Sequence, residues 1–270
     1  MYKLIAIDLD DTLLDDNLHI SPGTIEAIKS AISQGVKVTF ATGRSFVSAQ
    51  KIAAKIGLNV PIITYQGSLI KNLIDGRVIY ERSVPSSAAS YIYEYCEKHG
   101  LHLQLYFEET LYVKEDNEKV REYARLSNIT YQVTENFNEL VQKPQTKMLI
   151  IDEPELLDRV AVELREVLKG QLHITKSKAH FLEFLHLEGN KGAALSFLAD
   201  HFGCTMDQVI AIGDSWNDRE MLEVAGLGVA MGNAIQELKE IADYVTLSNN
   251  EEGVKHVIEK FVLNKHANLS

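Results

Sequence analysis

The chain has 270 residues, with 38 acidic against 27 basic side chains for a formal net charge of -11, and it is 46% hydrophobic and 24% charged. Those proportions exclude disorder, collagen and a disulfide-stapled mini-domain, and leave ample apolar material for one large or two moderate domains. The negative balance argues against nucleic acid and anionic membranes as partners, because it repels phosphate backbones over long range.

Residues 4–9 form a short, almost wholly apolar run, the pattern of a strand covered on both faces of a parallel sheet. Ser21 followed by Pro22 reads as a helix start, Ile25, Ile28 and Ile32 give helical spacing, and Gly35 supplies the stop. A second strand is expected at 36–41, a second helix at 46–56 closed by Gly57, and a third strand at 61–64. This alternation predicts a doubly wound, Rossmann-like α/β sheet. The same grammar returns late in the chain. A helix at 191–202 ends at Gly203, Thr205 and Gln208 make a capping box, and a buried strand covers 209–212. Further elements follow at 220–225 and 228–231, then a helix capped by Asn233, then a strand at 244–247.

The middle reads differently. A helix at 86–99, an alternating strand at 101–105, a turn at Glu108 and Glu109 and a partner strand at 111–113 come first. A helix at 116–126, a strand at 147–151, a helix at 154–168 and strands near Ile174 and at 181–185 complete it. Hairpins mixed with helices suggest an α+β module inserted at 85–187 into an α/β core made of 1–84 and 188–270. Neither half of that core has enough strands alone. Cys96 and Cys204 form no C-x-x-C pair and read as reduced thiols, and no histidine pair has convincing metal spacing. Asp8 interrupts the first apolar run before a signal-peptide core can form, and every later uncharged stretch is short of a spanning helix. The expectation is a soluble, cytoplasmic protein whose oligomeric state is not readable.

In open α/β sheets ligands bind beyond the carboxyl ends of the strands, so the polar groups that follow each apolar run carry the chemistry. The first strand ends in Asp8-Leu9-Asp10-Asp11-Thr12. On extended backbone Asp8 and Asp10 face one side, where two carboxylates repel unless a cation or shared proton relieves them. The second strand ends in Thr42-Gly43-Arg44. That junction suits an anion at a helix N-terminus, or simply a helix cap. The late strand ends in Gly213-Asp214-Ser215-Trp216-Asn217-Asp218, where Asp218 either joins a site or complements a helix dipole. Lys191 starts a helix, the wrong sign for the dipole, and makes sense opposite a phosphate and several carboxylates.

In this order the four motifs resemble the haloacid dehalogenase superfamily of phosphotransferases, and within it the Cof-type sugar phosphatase branch with an inserted α+β cap of type IIB. The resemblance spans nearly the whole chain. It includes 221–226, 229–234, Ala242-Asp243 and 252–254. It implies a Mg2+-dependent phosphatase acting on a small phosphorylated metabolite. Asp8 would be the nucleophile that forms an aspartyl-phosphate, and Asp10 the acid and base. Asp8, the backbone carbonyl of Asp10 and Asp214 would hold Mg2+, supported by Asp218. Thr42, Gly43, Lys191 and Asn217 would hold the phosphoryl oxygens, with Arg44 nearby. One departure stands out, since relatives often carry Asn-Gly where this chain has Gln66-Gly67.

The module at 85–187 would close over the site and read the leaving group. His180 and Glu183 are cap candidates, while Tyr91, Tyr93 and Tyr95 read as a helix face. Two alternatives are weighed. A phosphomutase needs a basic cluster in the cap, where Arg121 and Arg125 lie one turn apart but beside Glu118 and Glu122. A non-catalytic phosphate or Mg2+ sensor would gain nothing from Asp10.

Overall fold

The computed structural model describes residues 1–263, so the end of the 188–270 segment lies outside the described residues. The strand Leu4–Ile7 has every residue buried, as its unbroken apolar run predicts, because helices cover both faces. It pairs in parallel with Lys37–Phe40 on one side and Val209–Gly213 on the other. Leu227–Ala230 and Tyr244–Val245 continue the sheet in parallel. The first strand therefore sits where the winding reverses, with its neighbours drawn from both ends of the chain. That reversal opens a crevice at the strands' carboxyl ends.

Local chemistry sets the helices around this sheet. Pro22–Ser33 starts where the Ser21 hydroxyl accepts the Thr24 amide, and Phe46–Ile56 ends at Gly57 in the left-handed region. Several expectations change here. The strand Ile62–Thr64 joins the core sheet by a single bridge, Ala41 to Ile63, and pairs instead in an antiparallel three-stranded sheet with Leu69–Lys71 and Val78–Glu81. Asn233 caps no helix. Its Nδ2 donates to the Asp11 carbonyl and its Oδ1 accepts the Asn249 amide, so it pins two loops while the helix begins at Gln236. A closing helix, Gly253–Phe261, packs Val254, Val257 and Ile258 into the core.

The middle of the chain builds a six-stranded sheet whose strands all fall between 103 and 186. Its pairs are antiparallel except that between Thr110–Val113 and Tyr131–Val133. Helices Ser86–His99 and Pro154–Val167 cover one face through Ile92, Leu157, Met148, Ile150, Leu182 and Phe184. Period-two alternation then sends the neighbouring residues Leu149, Ile151 and Phe181 to the other face, beside Tyr65 and Leu69. Lys147 and Glu183 share the parity of those residues, so both stand on the face turned toward the α/β core. The α/β core with an α+β cap is thus the architecture.

Candidate active site

Asp8 follows the last residue of the central strand, and the backbone then tightens into a short helical turn over Leu9–Leu13. Asp10 and Asp11 leave helical dihedrals within that turn, and Asp11 has a φ of 59°. The strand's extended geometry therefore stops earlier than residues 4–9 suggested. Asp8 and Asp10 still border one cavity of about 100 Å³, shared with Gly43, Arg44, Asp214 and Asn217.

Their partners differ. Lys191 Nζ lies 2.6 Å from Asp8 Oδ1 and 2.6 Å from Asp218 Oδ1. Asp218 Oδ2 accepts the backbone N–H groups of Asp214 and Ser215 at 2.9 and 3.1 Å, so both of its oxygens hold the protein itself together. Asp10 is gripped by Arg44, whose Nε and Nη2 reach its two oxygens at 2.8 and 2.6 Å. Asp214 Oδ1 accepts the Thr12 hydroxyl at 2.7 Å.

These environments separate the carboxyl groups. Burial drives Asp8 up to about 8 against an ordinary 3.8; Lys191 opposes the rise while Asp218 and Asp10 add to it. Burial also lifts Asp214 well above the ordinary range, helped by Asp218 and Asp8. For Asp10 burial pushes upward, but the Arg44 hydrogen bonds and charge outweigh it and hold the group below its ordinary value. Burial favours the neutral amine of Lys191, yet Asp218 and Asp8 keep it charged.

Oxygens of Asp8, Asp214 and Asp218 lie within 4.8 Å of one another. With all three ionised, one ammonium would leave the cluster two positive charges short, and burial instead keeps protons on Asp8 and Asp214. An all-oxygen set with that deficit fits a hard dication such as Mg2+. The Asp10 carboxylate is outside this cluster, committed to Arg44.

Other expected residues sit one layer back. Thr42 is fully buried, and its hydroxyl accepts the Arg44 amide at 3.1 Å. The cap of the following helix is Ser45, so Thr42 does not cap it. Lys191 is fully buried behind Asp8. Of the cap candidates, Glu183 borders the cavity, whereas His180 lines a neighbouring one with Glu118 and Glu122. Arg121 pairs with Asp116 rather than with Glu118 or Glu122, because Asp116 precedes the helix and can meet the guanidinium side-on. Tyr93 packs on Phe137 and Tyr95 donates to Glu163, as helix-face residues do.

Sequence reasoning named Thr12 in its motif without giving it a role, and missed Tyr123, Lys147 and Lys178. Lys178 reaches Asp11 across the cleft at 3.2 Å, and Tyr123 and Lys147 border the cavity. Lys147 carried a readable signal, a lysine opening a strand that is otherwise wholly apolar. Lys178 carried none.

Comparison with known proteins now adds the family. A family model described as haloacid dehalogenase-like hydrolase matches residues 5–258. The chain belongs to that family. A crystal structure from Thermotoga maritima is 39% identical, with a TM-score of 0.82 over 97% of this chain and 98% of its own. A Bacillus subtilis 5-amino-6-(5-phospho-D-ribitylamino)uracil phosphatase is 33% identical over 97% of this chain and 96% of itself. A subclass IIB sugar phosphatase is 26% identical with a TM-score of 0.85, covering 96% and 98% of the two chains. Within the haloacid dehalogenase-like hydrolases this chain is a phosphatase of the Cof-type, subclass IIB branch. Among the described residues no helix is long and apolar enough to cross a membrane.

Proposed function

We propose that the chain is a Mg2+-dependent phosphatase that hydrolyses small phosphorylated metabolites, sugar phosphates or similar monoesters, through an aspartyl-phosphate on Asp8. The supporting observation is the charge balance around Asp8, where three clustered carboxylates, two of them buried, stand against a single lysine. Asp8, Asp214 and the Asp10 carbonyl would hold the ion, with Asp218 fixing Lys191 and the 214–215 backbone. When bound, the ion neutralises the phosphoryl oxygens so that a carboxylate can approach them.

Asp8 attacks phosphorus, the ester P–O bond breaks, and the leaving alkoxide takes a proton from Asp10. Water then attacks the phosphorus of the aspartyl-phosphate, Asp10 takes its proton, and the bond to Asp8 breaks to release phosphate. Arg44 keeps Asp10 ionised in the free enzyme, which suits the second step. For the first step Asp10 must gain a proton. An arriving phosphoryl dianion competes for Arg44 and repels the carboxylate, and both effects raise the pKa of Asp10. Gly43 and Asn217 border the phosphoryl end. Lys191 holds Asp8 in place. The segment 85–187 acts as the lid that excludes water.

The phosphomutase alternative gains nothing from Arg121 or Arg125, since Arg121 is spent on Asp116 and neither borders the cavity. The cap lysines that do border it, Lys147 and Lys178, are paired with Glu183 and Asp11. The test is phosphate release from a panel of phosphomonoesters with Mg2+, comparing wild type with Asp8→Asn. Turnover by the wild type and its loss across the whole panel in a folded variant are expected. No release by the wild type, or persistent release by the variant, overturns the proposal.

A further inference from the structure

Gln66 occupies the place where the chain departs from its family's spelling, and its surroundings are unusual for a glutamine. It follows the strand Ile62–Thr64 with φ 60° and ψ 17°, a left-handed conformation that a long side chain rarely adopts. It is 1% exposed, and its backbone N–H donates to the Thr42 carbonyl at 3.0 Å. The side-chain amide lies over Gly43 so closely that a Cβ there would fall 2.4 Å from its Nε2. Strain of this kind persists only where the surroundings over-determine it.

The amide joins the two halves of the molecule. Nε2 donates to Glu183 Oε2 in the cap, and Oε1 accepts Asn217 Nδ2 at 2.9 Å in the core. Glu183 is held by Lys147, whose Nζ lies 2.8 Å from Oε1 and 3.0 Å from the Gly43 carbonyl. Lys147 and Glu183 are both buried, and the Glu183 charge outweighs burial in keeping the lysine protonated.

The order of donors in this chain is dictated from the cap end. A carboxylate only accepts, so Gln66 must turn its NH2 toward Glu183. Its carbonyl oxygen then faces Asn217, which must answer with Nδ2. Asn217 is thereby committed to one of its two amide orientations, with Oδ1 buried and without a partner among the described residues. With the cap lifted away, Glu183 leaves and nothing in this chain of bonds selects the orientation of either amide.

We propose that Gln66 is a positioning residue that transmits the seating of Glu183 to Asn217, so that closure of the cap sets the phosphoryl end of the site. The inference rests on the phosphatase reading for its activity readout but not for its binding readout. Gln66 does not touch the reacting atoms. It acts through Asn217, and a double-mutant cycle can show this.

The experiment measures kcat and KM for p-nitrophenyl phosphate, and inorganic phosphate affinity by calorimetry, both with Mg2+. The proteins are wild type, Gln66→Leu, Asn217→Ala, the double variant, Glu183→Leu and Glu183→Gln. Gln66→Leu is expected to lower kcat/KM by about 10-fold to 100-fold, the scale of a misplaced site group. The double variant is expected to be no worse than Asn217→Ala alone. Glu183→Gln, which can still accept from Gln66, should recover part of what Glu183→Leu loses. Multiplicative losses in the double variant, or equal losses in the two Glu183 variants, overturn the inference. If Gln66→Leu does not fold, Gln66→Asn enters the same cycle, because asparagine tolerates the left-handed region. A wild type that turns over no ester overturns the phosphatase reading alone, and the phosphate affinities then decide the cycle. Absence of phosphate binding by the wild type overturns both.

Discussion

Lys191 Nζ stands 2.6 Å from an oxygen of Asp8 and 2.6 Å from an oxygen of Asp218, with none of its side chain exposed. One ammonium at the start of the helix Lys191–His201 thus links the end of the first strand to the loop after Val209–Gly213, two segments that meet only in the folded sheet. Asn190 caps that helix by accepting the Ala193 amide, which sets where the lysine emerges.

Lys191→Met removes the cation and leaves two buried carboxylates facing each other. Removing one partner of a buried pair costs about 3–5 kcal/mol. The variant is expected to lose that much stability in chelator and to recover part of it with Mg2+, which supplies charge to the same pocket. Urea unfolding with and without the ion checks this. An equal loss under both conditions would separate Lys191 from the ion site.

Binding of Mg2+ should become tighter as pH rises toward 8. Asp8 titrates at about 8 when folded against an ordinary 3.8. Between those values the folded, metal-free chain keeps a proton that the unfolded chain has released. This group's contribution to metal-free stability therefore falls as pH rises through that window. The ion needs the ionised carboxylate and displaces the proton. Calorimetry in buffers of different ionisation heat should show proton release at about pH 6 and little at about pH 9. Affinity independent of pH across that range would contradict the expected role of Asp8.

Thr12→Val should weaken the ion with little effect on the fold. The Thr12 hydroxyl donates to Asp214 Oδ1 at 2.7 Å and fixes which way that carboxylate points. Loss of such an outer contact lowers metal affinity about 10-fold to 100-fold. Titration of apparent activity against Mg2+ gives the shift, and a thermal melt gives the fold. An unchanged Mg2+ dependence would mean that Asp214 is held by something else.

Gly67→Ala should be much more damaging than Gly57→Ala, although both glycines have positive φ, 105° and 81°. A Cβ at Gly57 meets nothing within 4 Å, so only the left-handed penalty of about 1–2 kcal/mol applies. At Gly67 it would lie 2.3 Å from the carbonyl oxygen of Asn190. Relief requires moving the start of the helix that carries Lys191, so activity should fall along with stability. Equal stability of the two variants would show that this approach is slack.

Much of the core was legible because it is local. A run such as Leu4–Ile7, a cap such as Ser21 before Pro22 and a stop such as Gly57 each act over a few residues, and each was found in place. The hairpin Leu69–Lys71 with Val78–Glu81 went unread, since its strands are short and the second is largely exposed. It also pairs with one edge of Ile62–Thr64 while the other edge keeps its parallel bridge to Ala41, a choice of hydrogen-bond partner that no single segment's pattern reveals.

The chain's own order of residues determined the family, the α/β core with its α+β cap and the residue types at each strand end, because motifs and periodicity are properties of short stretches. Only the tertiary structure decided the pairing. It gave Asp10 to Arg44, Asp8 and Asp218 to Lys191, and Asn217 through Gln66 to Glu183. The physical reason is burial. A charge removed from water must find a partner, and the partner is whichever opposite group the packing of sheet and cap brings within reach, often more than a hundred residues away.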